Sequence, residues 1–135
     1  MNILTKTFVA LAGLMHVVFF VMESVLFNNE KVYTRFQLAT AEQAALVDPF
    51  IYNQGWYNLF LAIAAFAGIM LAGKWLKNVG ETLAIYACLS MLCAALVLFF
   101  SVPDMLRAAF IQGAFPFLAL ITFAIAKRNL EPANK

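Results

Sequence analysis

"LTKTFVALAGLMHVVFFVMESVLF", residues 4–27, decides the fold of this chain. A helix needs about 20 residues, at ~1.5 Å each, to cross ~30 Å of hydrocarbon, and this stretch has them. It also holds a histidine and a glutamate, His16 and Glu23. From Phe8 to Phe27, twelve residues are Leu, Val or Phe. At roughly −0.3 to −0.6 kcal/mol each, they offer about −4 to −7 kcal/mol of insertion free energy. A carboxylate at the bilayer centre costs ~3 kcal/mol, and less near the interface. The helix can therefore carry both ionisable groups, provided that neither faces lipid.

The rest of the chain agrees. Of its 135 residues, 64% are hydrophobic and 12% charged. A soluble domain usually carries about a quarter charged residues, and one this small cannot hide so much apolar surface. Three further apolar stretches, 52–72, 82–102 and 105–126, are also long enough to span. No ~10-residue alternating segments suggest a membrane β-barrel. The expected fold is all-α, a four-transmembrane-helix bundle in one integral membrane domain, residues 1–135. A cleaved signal peptide is not expected. Its apolar core would be ~7–15 residues long, and the A-x-A step at Ala10–Ala12 comes too early.

Four spans put both termini on one side. That side carries Lys6, Lys74, Lys77, Lys127, Arg128 and Lys135, the other Lys31, Arg35 and Arg107. The positive-inside rule places the termini in the cytoplasm, and the long loop from Asn28 to Ile51 outside. Within that loop "TAEQAAL" has capping-box form, with Thr40 as N-cap and Gln43 three residues on. A short interfacial helix is expected there, ended by Pro49 before the second span begins.

The polar residues of the spans sort by depth. His16 lies ~16 Å and Glu23 ~6 Å from the outer end of the first span, on one helix face and ~10 Å apart along the axis. "YNQGWYN" opens the second span, placing Asn53 and Gln54 at its mouth with Tyr57 and Asn58 one turn further in. Gln54, Tyr57 and Asn58 share a stripe by their i,i+3 and i,i+4 spacing. Gln112 lies ~10 Å into the fourth span, and Pro116 cannot bond back to its carbonyl. One polar cluster is expected, open toward the outside and closed toward the cytoplasm. Ala12 and Gly13 would let a neighbouring helix come close to His16.

The stretch "NQGWYNLFLA", the His16–Glu23 spacing and the Gln112–Gly113 step before "FLAL" resemble the domain-of-unknown-function family 1304 over about residues 4–126. The resemblance implies a small bacterial membrane protein with four spans. It makes His16, Glu23, Asn53, Gln54, Gly55, Tyr57, Asn58 and Gln112 characteristic positions. This chain departs from the family pattern in having Met15 where an acid often precedes the histidine. Pro116 comes one residue late, and a tyrosine-glycine motif is missing from the end of the third span. The resemblance implies no activity.

Three readings of the cluster stand. The first is a ligand-binding pocket for a small lipophilic or amphipathic molecule, formed by His16, Glu23, Asn53, Gln54, Tyr57, Asn58 and Gln112. The second is a membrane acid–base enzyme, isomerase-like, with Glu23 and His16 as catalytic candidates and Tyr57 or Asn58 polarising an oxygen. The third is polar helix packing with no ligand. Bonds between helices in membranes average only ~0.6 kcal/mol, so packing is a weak use of so many polar groups.

No metal site is expected, because His16 and Glu23 are too far apart to share an ion and amide oxygens are poor transition-metal ligands. A proton channel would lack a relay in the inner half. No cofactor motif is present. Cys88 and Cys93 point ~140° apart on one helix and read as small hydrophobes. Basic residues flank the spans without interleaved aromatics, so no nucleic acid is expected as partner. The expected partners are the lipid bilayer and a small lipophilic ligand. An oligomer could use the small-residue steps Ala64–Gly68 and Gly68–Ala72. The expected localisation is the bacterial inner (plasma) membrane, multi-pass.

Overall fold

A computed structural model of the chain describes residues 1–73 and 76–129. The first helix, α1 (Ile3–Phe20), starts at Asn2, whose side chain accepts the Thr5 N–H at 2.8 Å. It continues into a π-helical turn, Val21–Val25. A short helix α2 (Glu30–Tyr33) is capped by Asn29 and passes into a 3-10 turn, Thr34–Phe36. Then come α3 (Ala41–Ala72), α4 (Lys77–Ser101), a second 3-10 turn (Pro103–Met105) and α5 (Leu106–Arg128). Four of these elements are long and apolar enough to cross a membrane, and no strand occurs among the described residues.

Thr40 does cap a helix, accepting the Gln43 N–H at 3.3 Å, while the Gln43 side chain accepts from Ala39 N at 2.8 Å. Pro49 does not end that helix. It lies inside α3, which runs unbroken for 32 residues. A helical proline costs about 3 kcal/mol, but packing on both sides of it opposes the break. Before and after Pro49, Ala44, Val47 and Ile51 pack on Phe27, Tyr33 and Phe36. The expected short helix and second span are thus one rod of about 48 Å, longer than the ~30 Å hydrocarbon core. Its first turns project beyond the bundle with α2, forming a small cap. The connection after α1 is correspondingly shorter than the expected loop.

Other boundaries move by a few residues. The third span begins at Lys77, earlier than Thr82, and α5 extends past Ala126 to Arg128. Lys127 and Arg128 in that last turn complement the negative helix terminus. Pro116 lies inside α5, which continues through it to Arg128. Lys74 and Lys135, counted in the charge asymmetry, lie outside the described residues.

The four long helices form a ring in which α1 and α4 each pack against both α3 and α5. Chain neighbours are neighbours in space, so the bundle runs up-down-up-down. The centre is built from small side chains. Ala12, Ala65, Ala84, Ala87, Cys88 and Ala119 are buried around Val9 and Met91. The closest approach is between α3 and α4, where a Cβ on Gly68 would sit 2.6 Å from the Ala84 backbone nitrogen. One on Gly80 would sit 2.7 Å from the Ala72 Cα. Lipid tails offer no hydrophobic drive between helices, so such near-backbone packing is what holds them together. The small-residue steps at Gly68 therefore serve contact inside the bundle. The outside is oily, with Met70, Val97, Phe100 and Phe110 all more than half exposed. Cys88 is buried and Cys93 exposed, on opposite sides of α4.

Candidate functional site

The site begins on α1. Gly13 lies directly under the Phe66 ring of α3, where a Cβ would be 2.9 Å from Cζ. One turn later His16 is wholly buried. Its Nδ1 lies 2.9 Å from the Ala12 carbonyl oxygen. A carbonyl can only accept, so Nδ1 carries the proton. Nε2 is buried and has no hydrogen-bond partner among the described residues. The ring meets Phe19 in a T-shaped arrangement, with centroids 5.5 Å apart.

Glu23 sits in the π turn, where the Leu26 N–H reaches back five residues to the Val21 carbonyl at 2.9 Å. Such turns insert a residue into a helix and often occur at functional sites. Here the wide turn lies against Gly55 of α3. A Cβ on Gly55 would be 3.0 Å from the Glu23 Cβ and would overlap the Ser24 hydroxyl. Ser24 Oγ donates to the Tyr52 carbonyl at 2.9 Å. One turn further along α3, Asn58 Nδ2 donates to Glu23 Oε2 at 2.7 Å, with both residues buried.

The expected cluster is therefore brought together only in part. Glu23 and Asn58 meet. His16 is buried on the same helix as Glu23 but makes a separate bond, about 10 Å away along the axis. Asn53, Gln54 and Tyr57 are exposed on the outer side of α3 and do not join them. The expected stripe through Gln54, Tyr57 and Asn58 is rotated, and the face turned inward is Gly55, Asn58, Ala62, Ala65 and Gly68. Gln112 is half-buried on α5 and takes no part in the Glu23–Asn58 bond. Next to it Gly113 packs on Ala95, where an added Cβ would be 3.1 Å from the Ala95 Cβ.

A second polar cluster, where only one was expected, lies at the other end of the bundle beside an open cleft lined by Glu81, Tyr86, Phe123 and Lys127. Glu81 is buried there, with Lys127 Nζ 2.9 Å from its Oε2 and the Met1 amine bonded to its Oε1. Nearby, the Thr5 hydroxyl donates to Thr122 Oγ1 at 3.2 Å. These contacts gather the start of α1, the start of α4 and the end of α5 at one end. The sequence signal was Glu81 itself, an acid in the first turns of a span, opposite the Lys127–Arg128 pair.

Residues 10–124 match the family described as "Protein of unknown function (DUF1304)". The chain belongs to this family. No curated protein and no solved structure matches it. The DUF1304 match includes every residue of the Glu23–Asn58 site and His16, together with Glu81. Lys127 and Met1, the partners of Glu81, fall outside the matched stretch. The DUF1304 chain is thus an integral membrane protein whose matched region carries a buried carboxyl and amide near one end of a four-helix bundle and a buried imidazole deeper within it.

Proposed function

We propose that this DUF1304 protein is a multi-pass protein of a bacterial plasma membrane that holds one small lipophilic or amphipathic molecule against His16, Glu23 and Asn58. Its termini face the cytoplasm, because Lys6, Lys77, Lys127 and Arg128 outnumber the cations of the other end. Tyr52, Trp56 and Tyr57 are exposed on α3 at the height of Glu23. Such amphipathic rings favour the membrane–water boundary. Glu23 then lies just below the outer surface, and His16 about 10 Å deeper.

The observation that carries this reading is the bare Nε2 of a fully buried imidazole. Leaving a buried polar atom unsatisfied costs about 1–3 kcal/mol. A cluster serving only to join helices would be expected to pair its groups, as Glu23 and Asn58 are paired. Among the described residues, His16 joins no second helix by hydrogen bond, since its bonded partner Ala12 is on its own helix.

The test is to purify the protein in lipid nanodiscs, extract the discs with organic solvent, and compare the extract with that of empty discs by mass spectrometry. One species should be enriched in wild-type discs and lost from His16→Phe and Glu23→Gln discs, with helical content and elution volume unchanged. Identical extracts from wild-type and empty discs would refute the reading.

A further inference from the structure

We infer that the molecule held at this site presents a hydrogen-bond donor, a hydroxyl or an ammonium, to the protein; the inference rests on the binding reading above. It follows from counting which donors and acceptors are already used. The one proton of a neutral imidazole is on Nδ1 and is committed to the Ala12 carbonyl at 2.9 Å. Nε2 is left as a lone pair. Glu23 Oε2 is already taken, accepting the Asn58 amide at 2.7 Å. The amide oxygen of Asn58 remains as an acceptor.

Donors are nearly exhausted. The Ser24 hydroxyl is committed to the Tyr52 carbonyl at 2.9 Å. The second N–H of Asn58 is the one donor left on these side chains. No lysine or arginine lies on α1 beyond Lys6, which is near the opposite end of that helix. The surrounding rings are apolar, with Phe19 beside His16 and Phe66 over Gly13. A ligand bearing only carbonyl or ether oxygens would set acceptor against acceptor at Nε2. One with an –OH or –NH3⁺ head and an apolar tail would satisfy Nε2. Sites built to bond a polar group discriminate strongly against analogues lacking its complement, because buried partners are then left unpaired.

The experiment uses three matched probes, 1-dodecanol, dodecylamine and dodecyl methyl ether. Each is titrated into the full-length protein in maltoside micelles, and thermal stabilisation is followed at equal free concentration. The alcohol or the amine should saturate at a concentration about tenfold below the ether, the worth of one hydrogen bond. That preference should shrink in His16→Phe and in His16→Leu, both of which remove the lone pair. An ether that binds as well as both donors overturns the inference and leaves the binding reading standing. A preference unchanged in both variants also overturns it, because the donors then bind elsewhere. If no probe saturates, the inference and the binding reading fall together.

Discussion

Asn58 and Glu23, from helices adjacent in the bundle, meet through one hydrogen bond of 2.7 Å beneath the surface of the protein. The bond is possible because the π turn carries Glu23 to the flank of α3 and because Gly55 leaves room for it. Its two members should respond unequally to substitution. Asn58→Ala removes the donor and leaves a buried carboxylate, and should destabilise the bundle by about 1–3 kcal/mol. Asn58→Asp sets two carboxylates side by side and should cost more. Glu23→Gln keeps an acceptor for Asn58 and should cost the least. Unfolding in mixed micelles, followed by circular dichroism, orders the three variants. A silent Asn58→Ala would mean that the bond is incidental.

The contact of α3 with α4 makes a sharper stability prediction. Gly68→Ala puts a methyl group against the Ala84 backbone, 2.6 Å from its nitrogen, and backbone cannot yield as a side chain can. The helices must separate, and overpacking of this kind typically costs 1–3 kcal/mol. At Gly73 the nearest atom to an added Cβ is 3.7 Å away, and φ is −85°. Gly73→Ala should therefore be neutral, or slightly stabilising through the unfolded chain. Measured in the same micelles, equal midpoints for the two variants would refute the close α3–α4 approach.

How much of this was legible in the sequence depends on the range of the interaction. The four spans follow from length and hydropathy, which are properties of a window of residues. The burial of His16 and Glu23 follows from the cost of facing lipid. The inward face of α3 was harder to read, because adjacent stripes share i,i+3 and i,i+4 spacings. The polar side chains suggested Gln54, Tyr57 and Asn58, whereas close packing selects the small residues Gly55, Ala62, Ala65 and Gly68. The local rule for Pro49 is overridden by Phe27 and Tyr33, distant in sequence, whose cluster includes Ala44, Val47 and Ile51 on either side of it. The π turn at Val21–Val25 has no sequence mark of its own. Glu81 finds Lys127 across 46 residues of chain (127 − 81), a pairing that no local pattern announces.

The orientation can be checked at Gln37, a residue with left-handed backbone (φ 63°) that ends the 3-10 turn in the cap. With the termini cytoplasmic, Gln37→Cys should react with a charged, membrane-impermeant maleimide added to intact spheroplasts. The native thiols should stay silent, because Cys88 is buried and Cys93 lies on the apolar flank of α4. A cysteine at Lys6, near the other end of α1, should react only after lysis. The reverse pattern would turn the protein over and put the Glu23 end of the bundle toward the cytoplasm.

The protonation pattern of His16 is the most direct check on the site, and the chain has a single histidine, so its signals need no assignment. The bond to the Ala12 carbonyl requires hydrogen on Nδ1. A neutral ring then has an unprotonated Nε2. Nitrogen-15 spectra of histidine-labelled protein in nanodiscs should show one protonated and one bare ring nitrogen, with the bare one at the ε position. Adding 1-dodecanol should move the Nε2 resonance in the direction of a hydrogen-bonded acceptor and leave Nδ1 in place. An ether should move neither. A spectrum with the proton on Nε2 would mean that the ring presents a donor to its surroundings. The Ala12 contact would then be lost, and the preference for donor-bearing molecules would have no basis at this residue.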